Sequence, residues 1–212
     1  MGKITALTRQ KRNTDRVNVY LDGQFAFGVD AFVAISLKVG QTLTAEEINK
    51  LQAQDEVEKA KNTAIRLIEY RPRSIAEVKN HLKKKNYSDL SIEQAIERLI
   101  AVDLLNDEKF ARYWLEQRNT FKPRSKIALQ QELRQKGIDR TIIDATLDTL
   151  NEEDAARRAA QAKARRWKQL PEQDFKKKLG QYLQRQGFSY TIIRELTDSI
   201  WHDISSDDDV LL

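Results

Sequence analysis

At 212 residues the chain is long enough for one or two domains, and its lack of cysteine excludes disulfides, thiolate-held zinc and thiol catalysis together, as suits a reducing cytoplasm. Charged residues make up 33% of it and hydrophobic ones 40%, with no apolar signal-like stretch at the N-terminus and no apolar run near the roughly 18 residues of a membrane helix. A cytoplasmic helical protein with much exposed surface is expected. The net charge of +5 is modest but unevenly placed: Arg157 to Lys178 holds nine basic residues against two acidic, whereas Asp203 to Asp209 is acidic.

The first 55 residues read differently from the rest. Val17, Val19 and Leu21 alternate with polar residues, Asp22-Gly23 is a hairpin signal, and Phe25, Phe27 and Val29 alternate again, so strands are expected there and near Ile4 to Arg9. A strict two-residue turn would set the two apolar series on opposite faces, which requires both faces to be covered, a longer turn or a bulge. Lys11, Arg12 and Arg16 surround the first connection, Asn13-Thr14-Asp15, a weak signal for phosphate contact. Ala31 to Leu37 suggests a short helix ended by Gly40. Thr44-Ala45-Glu46-Glu47 is a capping-box pattern that starts a helix able to run on.

From about residue 56 one pattern occurs three times. Leu82-Lys83-Lys84-Lys85-Asn86-Tyr87, Leu133-Arg134-Gln135-Lys136-Gly137-Ile138 and Leu183-Gln184-Arg185-Gln186-Gly187-Phe188 recur about every 50 residues, each preceded by one of the chain's three prolines. The same apolar spacing follows each block: Ile92, Ile96, Leu99; Ile143, Leu147, Leu150; Ile193, Thr197, Ile200. Caps and turn residues divide each copy into three helices. These are Val57–Tyr70, Ser74–Lys85 and Ser91–Val102 in the first. The second has a helix capped by Asn106 or Asp107 and running to Phe121, one starting at Ser125 and closed by Gly137 in the left-handed region, and Ile142–Leu150. The third copy, Ala155–Trp167, Asp174–Gln186 and Tyr190–Ile204, is the least regular. The fold expected is mainly α: tandem three-helix, helix-turn-helix-like repeats in an elongated array behind a small β-hairpin-containing extension. The divisions are 1–55, 56–105, 106–151, 152–204 and an acidic tail at 205–212.

No catalytic constellation stands out. His81 and His202 fall in different repeats, and neither a Walker loop nor a dinucleotide glycine fingerprint is present. No cofactor or metal is expected. Phe110 and Trp114 have the helical spacing of core residues rather than of base-stacking platforms. The recurring Arg71-Pro72-Arg73-Ser74 and Lys122-Pro123-Arg124-Ser125 are more informative: proline and serine suit a turn and a cap, but neither role needs flanking cations, which cost about 0.3 kcal/mol or more at a helix start. Cations repeated at one place in successive units would share a face that a repeating partner could read. A charge run such as Arg157 to Lys178 is commonly a solvated face, and polyanion contact is the competing reading.

The stretch Leu104-Leu105-Asn106-Asp107-Glu108-Lys109-Phe110-Ala111-Arg112-Tyr113-Trp114, then Arg118, Lys122-Pro123-Arg124-Ser125 and Leu133-Arg134-Gln135-Lys136-Gly137-Ile138, resembles the RecX family of regulatory proteins. That family shows Leu-Ile-Asp-Asp followed by Phe-Ala, an aromatic residue and arginine, then Gly/Lys-Pro and a leucine-centred Lys-Gly-Ile/Val. With the neighbouring repeats the likeness covers residues 56–204, and the extension resembles that of longer members. Asn106 departs from the first family aspartate, and the third repeat is degenerate in its turn. The resemblance implies a bent array without catalysis. It also implies binding of the RecA recombinase in the groove of the RecA–single-stranded DNA filament, restraining ATP hydrolysis and strand exchange in recombination and DNA repair; the alternative is a stand-alone protein that grips single- or double-stranded DNA directly. Successive units on a repeating partner would gain from effective concentration. Arg73, Lys122, Arg124, Lys126, Arg134 and Lys136 are the expected RecA or DNA contacts, supported by Arg157, Arg158, Arg165, Arg166, Lys168, Lys176 and Lys177. A monomer is expected.

Overall fold

The computed structural model describes the backbone of residues 1–209 and side chains as far as Ser205. Two compact units are present, Met1–Asn106 and Asp107–Leu212. Most of the expected acidic tail at 205–212 lies outside the described side chains.

In the first unit, β1 (Gly2–Arg9), β2 (Arg16–Leu21), β3 (Gln24–Asp30) and β4 (Thr42–Leu43) form an antiparallel sheet in the order β3-β2-β1-β4. The hairpin turn is two residues long: Asp22 and Gly23 sit at φ 51° and 84°, and Leu21 faces Gln24. A bulge then resolves the facing conflict. Tyr20 pairs with Phe25 but Val19 pairs with Phe27, so the skipped Ala26 turns Phe27 and Val29 onto the buried face of Val19. Ile4, Val19, Phe27 and Val29 pack there against Val33, Leu37, Leu43 and Leu51. Phe25 stays outside, edge-on to Tyr20. β4 has no counterpart in the sequence reading, because two residues carry no alternation. α1 (Ala31–Ala34) is shorter than the expected Ala31–Leu37.

α2 (Ala45–Tyr70) starts at the capping box: Glu47 N donates to Thr44 Oγ1 and Thr44 N donates to the Glu47 carboxylate. No glycine or proline interrupts the next 26 residues, so a single helix crosses the expected division at 55/56. It ends at Arg71, whose extended backbone is what a following proline imposes. α3 (Ile75–Lys84) and α4 (Asp89–Ala101) complete the first trio around Val57, Ala64, Val78, Leu82, Ile92 and Leu99. Arg16, read from the sequence as part of a basic loop, is taken up by α2: Nη1 and Nη2 lie 3.0 and 3.1 Å from the two Asp55 oxygens.

Glu56 of α2 holds the start of α4. Its carboxylate accepts from Ser91 Oγ at 2.6 Å, Ser88 Oγ at 2.7 Å and Ser88 N at 3.0 Å, and these bonds, Ser91 first, hold it below its ordinary value of 4.5. A lowered carboxylate contributes stability that is fully present above the unfolded value and lost as pH falls through the folded one. Acid melting curves should therefore show a loss of stability beginning near pH 4.5 that is weaker in Glu56→Gln; superimposable curves would discount the clamp.

The second unit contains α5 (Asp107–Phe121), α6 (Lys126–Gln135), α7 (Arg140–Asp148), α8 (Glu152–Trp167), α9 (Glu172–Arg185) and α10 (Tyr190–Asp209). Its two trios share one core, in which Phe110, Leu129, Leu133 and Ile143 are continuous with Phe175, Leu179, Leu183 and Ile200. Five buried alanines of α8 allow close approach in that core. Asn86, Gly137 and Gly187 follow the aligned leucines at φ 61°, 76° and 91°, the left-handed turn that selects Asn or Gly. Gly187 also fits against the other trio: Ser125 N donates to Gln186 O, and a Cβ at 187 would stand 2.5 Å from Ser125 Oγ. α9 begins after Pro171 with no side-chain cap, in line with the loss of the basic-Pro-Arg-Ser signature.

Candidate functional site

Both Pro-Arg-Ser signatures open a helix whose serine is buried and whose hydroxyl accepts a backbone N–H, from Glu77 in α3 and from Ala128 in α6. In each, the arginine before the serine has a buried Nε without a hydrogen bond, Arg73 in one and Arg124 in the other. The two differ in counter-charge. Arg71, not Arg73, takes the Glu77 carboxylate, with Nη1 at 3.2 Å and Nη2 at 3.0 Å. Burial, with Arg71 alongside, lowers Arg73 below an ordinary arginine, opposed by Glu77 and Tyr70. Arg124 Nε stands 3.1 Å from Glu132 Oε1, off the line a hydrogen bond needs.

Glu132 organises the second trio's basic surface. Its carboxylate accepts from Trp114 Nε1 at 2.8 Å and Arg118 Nε at 2.7 Å besides facing Arg124. The Arg118 guanidinium lies 4.6 Å from the Trp114 ring centre and the Lys136 ammonium 4.0 Å from it, two cation–π contacts on one indole. Phe110 is buried and stacks on Trp114, so both belong to the core and its rim, as their spacing indicates. Burial pushes the Tyr182 phenol up, and the charges of Arg124 and Arg185 oppose that shift.

The other expected contacts divide by what holds them. Lys126 uses its backbone N–H on Glu152 Oε1 at 2.9 Å, Arg158 donates to Asn119 Oδ1 at 3.2 Å, and Lys176 lies 2.7 Å from Asp198 and 2.8 Å from Glu172, bonds that raise its pKa, Asp198 first. Lys122, Arg134, Arg157, Arg165, Arg166, Lys168 and Lys177 are exposed, with no carboxylate within 4.0 Å among the described residues. On α8 the buried alanines fix the orientation, and the periodicity sets Arg157, Arg158, Arg165 and Lys168 together on the outer face, with Arg166 at its border. The structure thus gathers Arg157, Arg158, Arg165 and Lys168 on one ridge and leaves Lys176 and Lys177 apart from it on α9. Glu132 and Trp114 carry no signal as a pair in the sequence; their eighteen-residue separation becomes a contact only when α5 packs on α6.

Among the described residues no helix is long and apolar enough to cross a membrane. Four family models match in chain order: the regulatory protein RecX N-terminal domain at residues 2–44, and the first, second and third RecX three-helix domains at 60–99, 106–147 and 151–196. Regulatory protein RecX of Bacillus subtilis (strain 168) is 36% identical over 98% of this chain and 80% of its own length. That of Clostridium perfringens (strain SM101 / Type A) is 32% identical over 94% and 98%. A crystal structure of regulatory protein RecX superposes with a TM-score of 0.75 at 27% identity, covering 93% of this chain and all of the other, and that of RecX from Lactobacillus salivarius with 0.58 at 25%, covering 72% and 98%. With an N-terminal strand region followed by three trios, each matched by its own model, the chain belongs to the RecX family of regulatory proteins.

Proposed function

We propose that this chain acts in the cytoplasm by binding the RecA recombinase on single-stranded DNA and restraining its ATP hydrolysis and strand exchange, without catalysis of its own. The observation that carries the reading is the run of four RecX family models in order along the chain, since that family is regulatory. The charge arrangement supports it: exposed cations without carboxylates, above all Arg157, Arg165 and Lys168 on α8, are available to a phosphate backbone or an acidic protein face. Arg124, Lys136, Arg158 and Lys176, which other groups hold, position the surface around them, while Arg73, Lys122, Lys126, Arg134, Arg166 and Lys177 extend it.

The test is a titration of the chain into preformed RecA filaments on single-stranded DNA. DNA-dependent ATP hydrolysis should fall at substoichiometric amounts, and a flat response at every ratio would remove the reading. Charge reversal at Arg157, Arg165 and Lys168 should weaken inhibition while each change shifts stability by no more than about 0.5 kcal/mol, as surface changes usually do. The exposed α8 ridge also suits direct DNA binding, which falls steeply with salt. Inhibition that persists at a salt concentration abolishing DNA binding separates the two readings.

A further inference from the structure

Three aligned positions on the second and third helices of each trio decide what the space between those helices can hold. In the first trio they are Lys79, Asp89 and Glu93, and the charges close on one another: Lys79 Nζ is 3.7 Å from Glu93 Oε1, and Lys83 Nζ 3.0 Å from Asp89 Oδ1. In the second they are Gln130, Arg140 and Asp144, with Arg140 Nε 3.4 Å from Asp144 Oδ2. In the third they are Gly180, Tyr190 and Arg194. Glycine removes the side chain from the floor, an aromatic ring replaces the charged group at the start of the third helix, and a cation replaces the acid one turn on.

The outcome is a groove of 460 Å³ between α9 and α10, within the size range of ligand pockets and lined by Lys177, Gly180, Gln181, Tyr190, Ile193 and Arg194 among others. Tyr190 is 77% exposed. Lys177 and Arg194 have no carboxylate within 4.0 Å among the described residues, whereas the other lining cation, Lys176, is held by Glu172 and Asp198. An apolar ligand would make no use of the two cations, and a lone phosphate would make none of the ring. A single nucleic-acid strand uses both, since its unpaired bases have open faces for an aromatic ring and its backbone carries a charge at each step. A duplex hides those faces.

We propose that the α9–α10 groove seats one base of a single DNA strand, with Tyr190 stacking on the base, Lys177 and Arg194 meeting the flanking phosphates, and Gly180 leaving the room. The choice of DNA over other single strands rests on the filament reading above. The test needs no recombinase, so either proposal can fail while the other stands.

Fluorescence anisotropy of a labelled oligodeoxythymidylate against the full chain reads the site directly. Tyr190→Ala should weaken binding about tenfold, the lower half of the range for loss of one stacked base, and Tyr190→Phe should stay within about twofold of the parent. Gly180→Gln, which installs the second trio's residue, should weaken binding similarly without lowering the melting temperature, because glutamine favours a helix more than glycine and a Cβ there meets only Ile193 Cγ2 at 3.4 Å. Unchanged affinity in both Tyr190→Ala and Gly180→Gln would overturn the proposal, as would a duplex or a polyglutamate competing as well as the unlabelled single strand.

Discussion

Replacing Asp55 with alanine is expected to release the N-terminal sheet from α2 and to cost about 3–5 kcal/mol, the usual loss when one partner of a buried ion pair is removed. The Asp55 side chain is 4% exposed and serves four donors: the two Arg16 terminal nitrogens at 3.0 and 3.1 Å, Asp30 N at 2.7 Å and Lys59 Nζ at 2.7 Å. Without it Arg16 keeps only the Gly28 carbonyl at 2.7 Å, and the Asp30 amide loses its acceptor. Denaturant unfolding would read the loss, and amide exchange should place the lost protection in β1 to β3 before α3 and α4. A loss below about 1 kcal/mol would mean that the apolar contacts of Val33, Leu43 and Leu51 hold the sheet without the acid. Joint replacement of Arg16 and Asp55 by apolar residues should recover much of the loss, because no buried guanidinium is then left without its carboxylate and the half-exposed Lys59 can turn to water.

Gly187→Ala is the second large effect. The residue sits at φ 91°, where a Cβ costs about 1–2 kcal/mol, and the added methyl would also stand 2.5 Å from Ser125 Oγ and 3.1 Å from Ala128 Cβ. Overpacking of that kind adds about 1–3 kcal/mol, so a total near 3 kcal/mol is expected from the denaturation midpoint of the second unit. Asn86→Gly is the matched control: it occupies the equivalent turn at φ 61° and should change stability by no more than about 0.5 kcal/mol. A Gly187→Ala protein as stable as its parent would show that α6 and α9 can move apart at little cost.

Caps and turns were the legible part of this chain. Thr44, Ser74 and Ser125 start helices as their surroundings suggest, and the leucine-centred blocks end theirs in the left-handed turn. These signals are local, spanning four to six residues, so a sequence displays them whole. The hairpin was half legible: Asp22-Gly23 marked the turn but left its length open, and the bulge that restores facing depends on which side the helices cover. Burial of charge was the hidden part. Asp55 and Glu58 stand in a strongly polar stretch of α2 where no local pattern marks them out, yet both are buried because the sheet and α4 bring Arg16 and Arg98 to them. The basic surface was legible in composition only. Nothing in Arg124 or Lys136 as letters distinguishes a cation held by Glu132 or by the Trp114 ring from the uncommitted arginines of α8.

The first turn of α6 borrows from far along the chain, through Ser125 N on the Gln186 carbonyl and Lys126 N on Glu152. During synthesis the second trio therefore leaves the ribosome with that turn unfinished, and it acquires its last backbone partners only after Gln186 has emerged. Translation pausing ahead of Gln186 would hold back a species with α6 still frayed at its start.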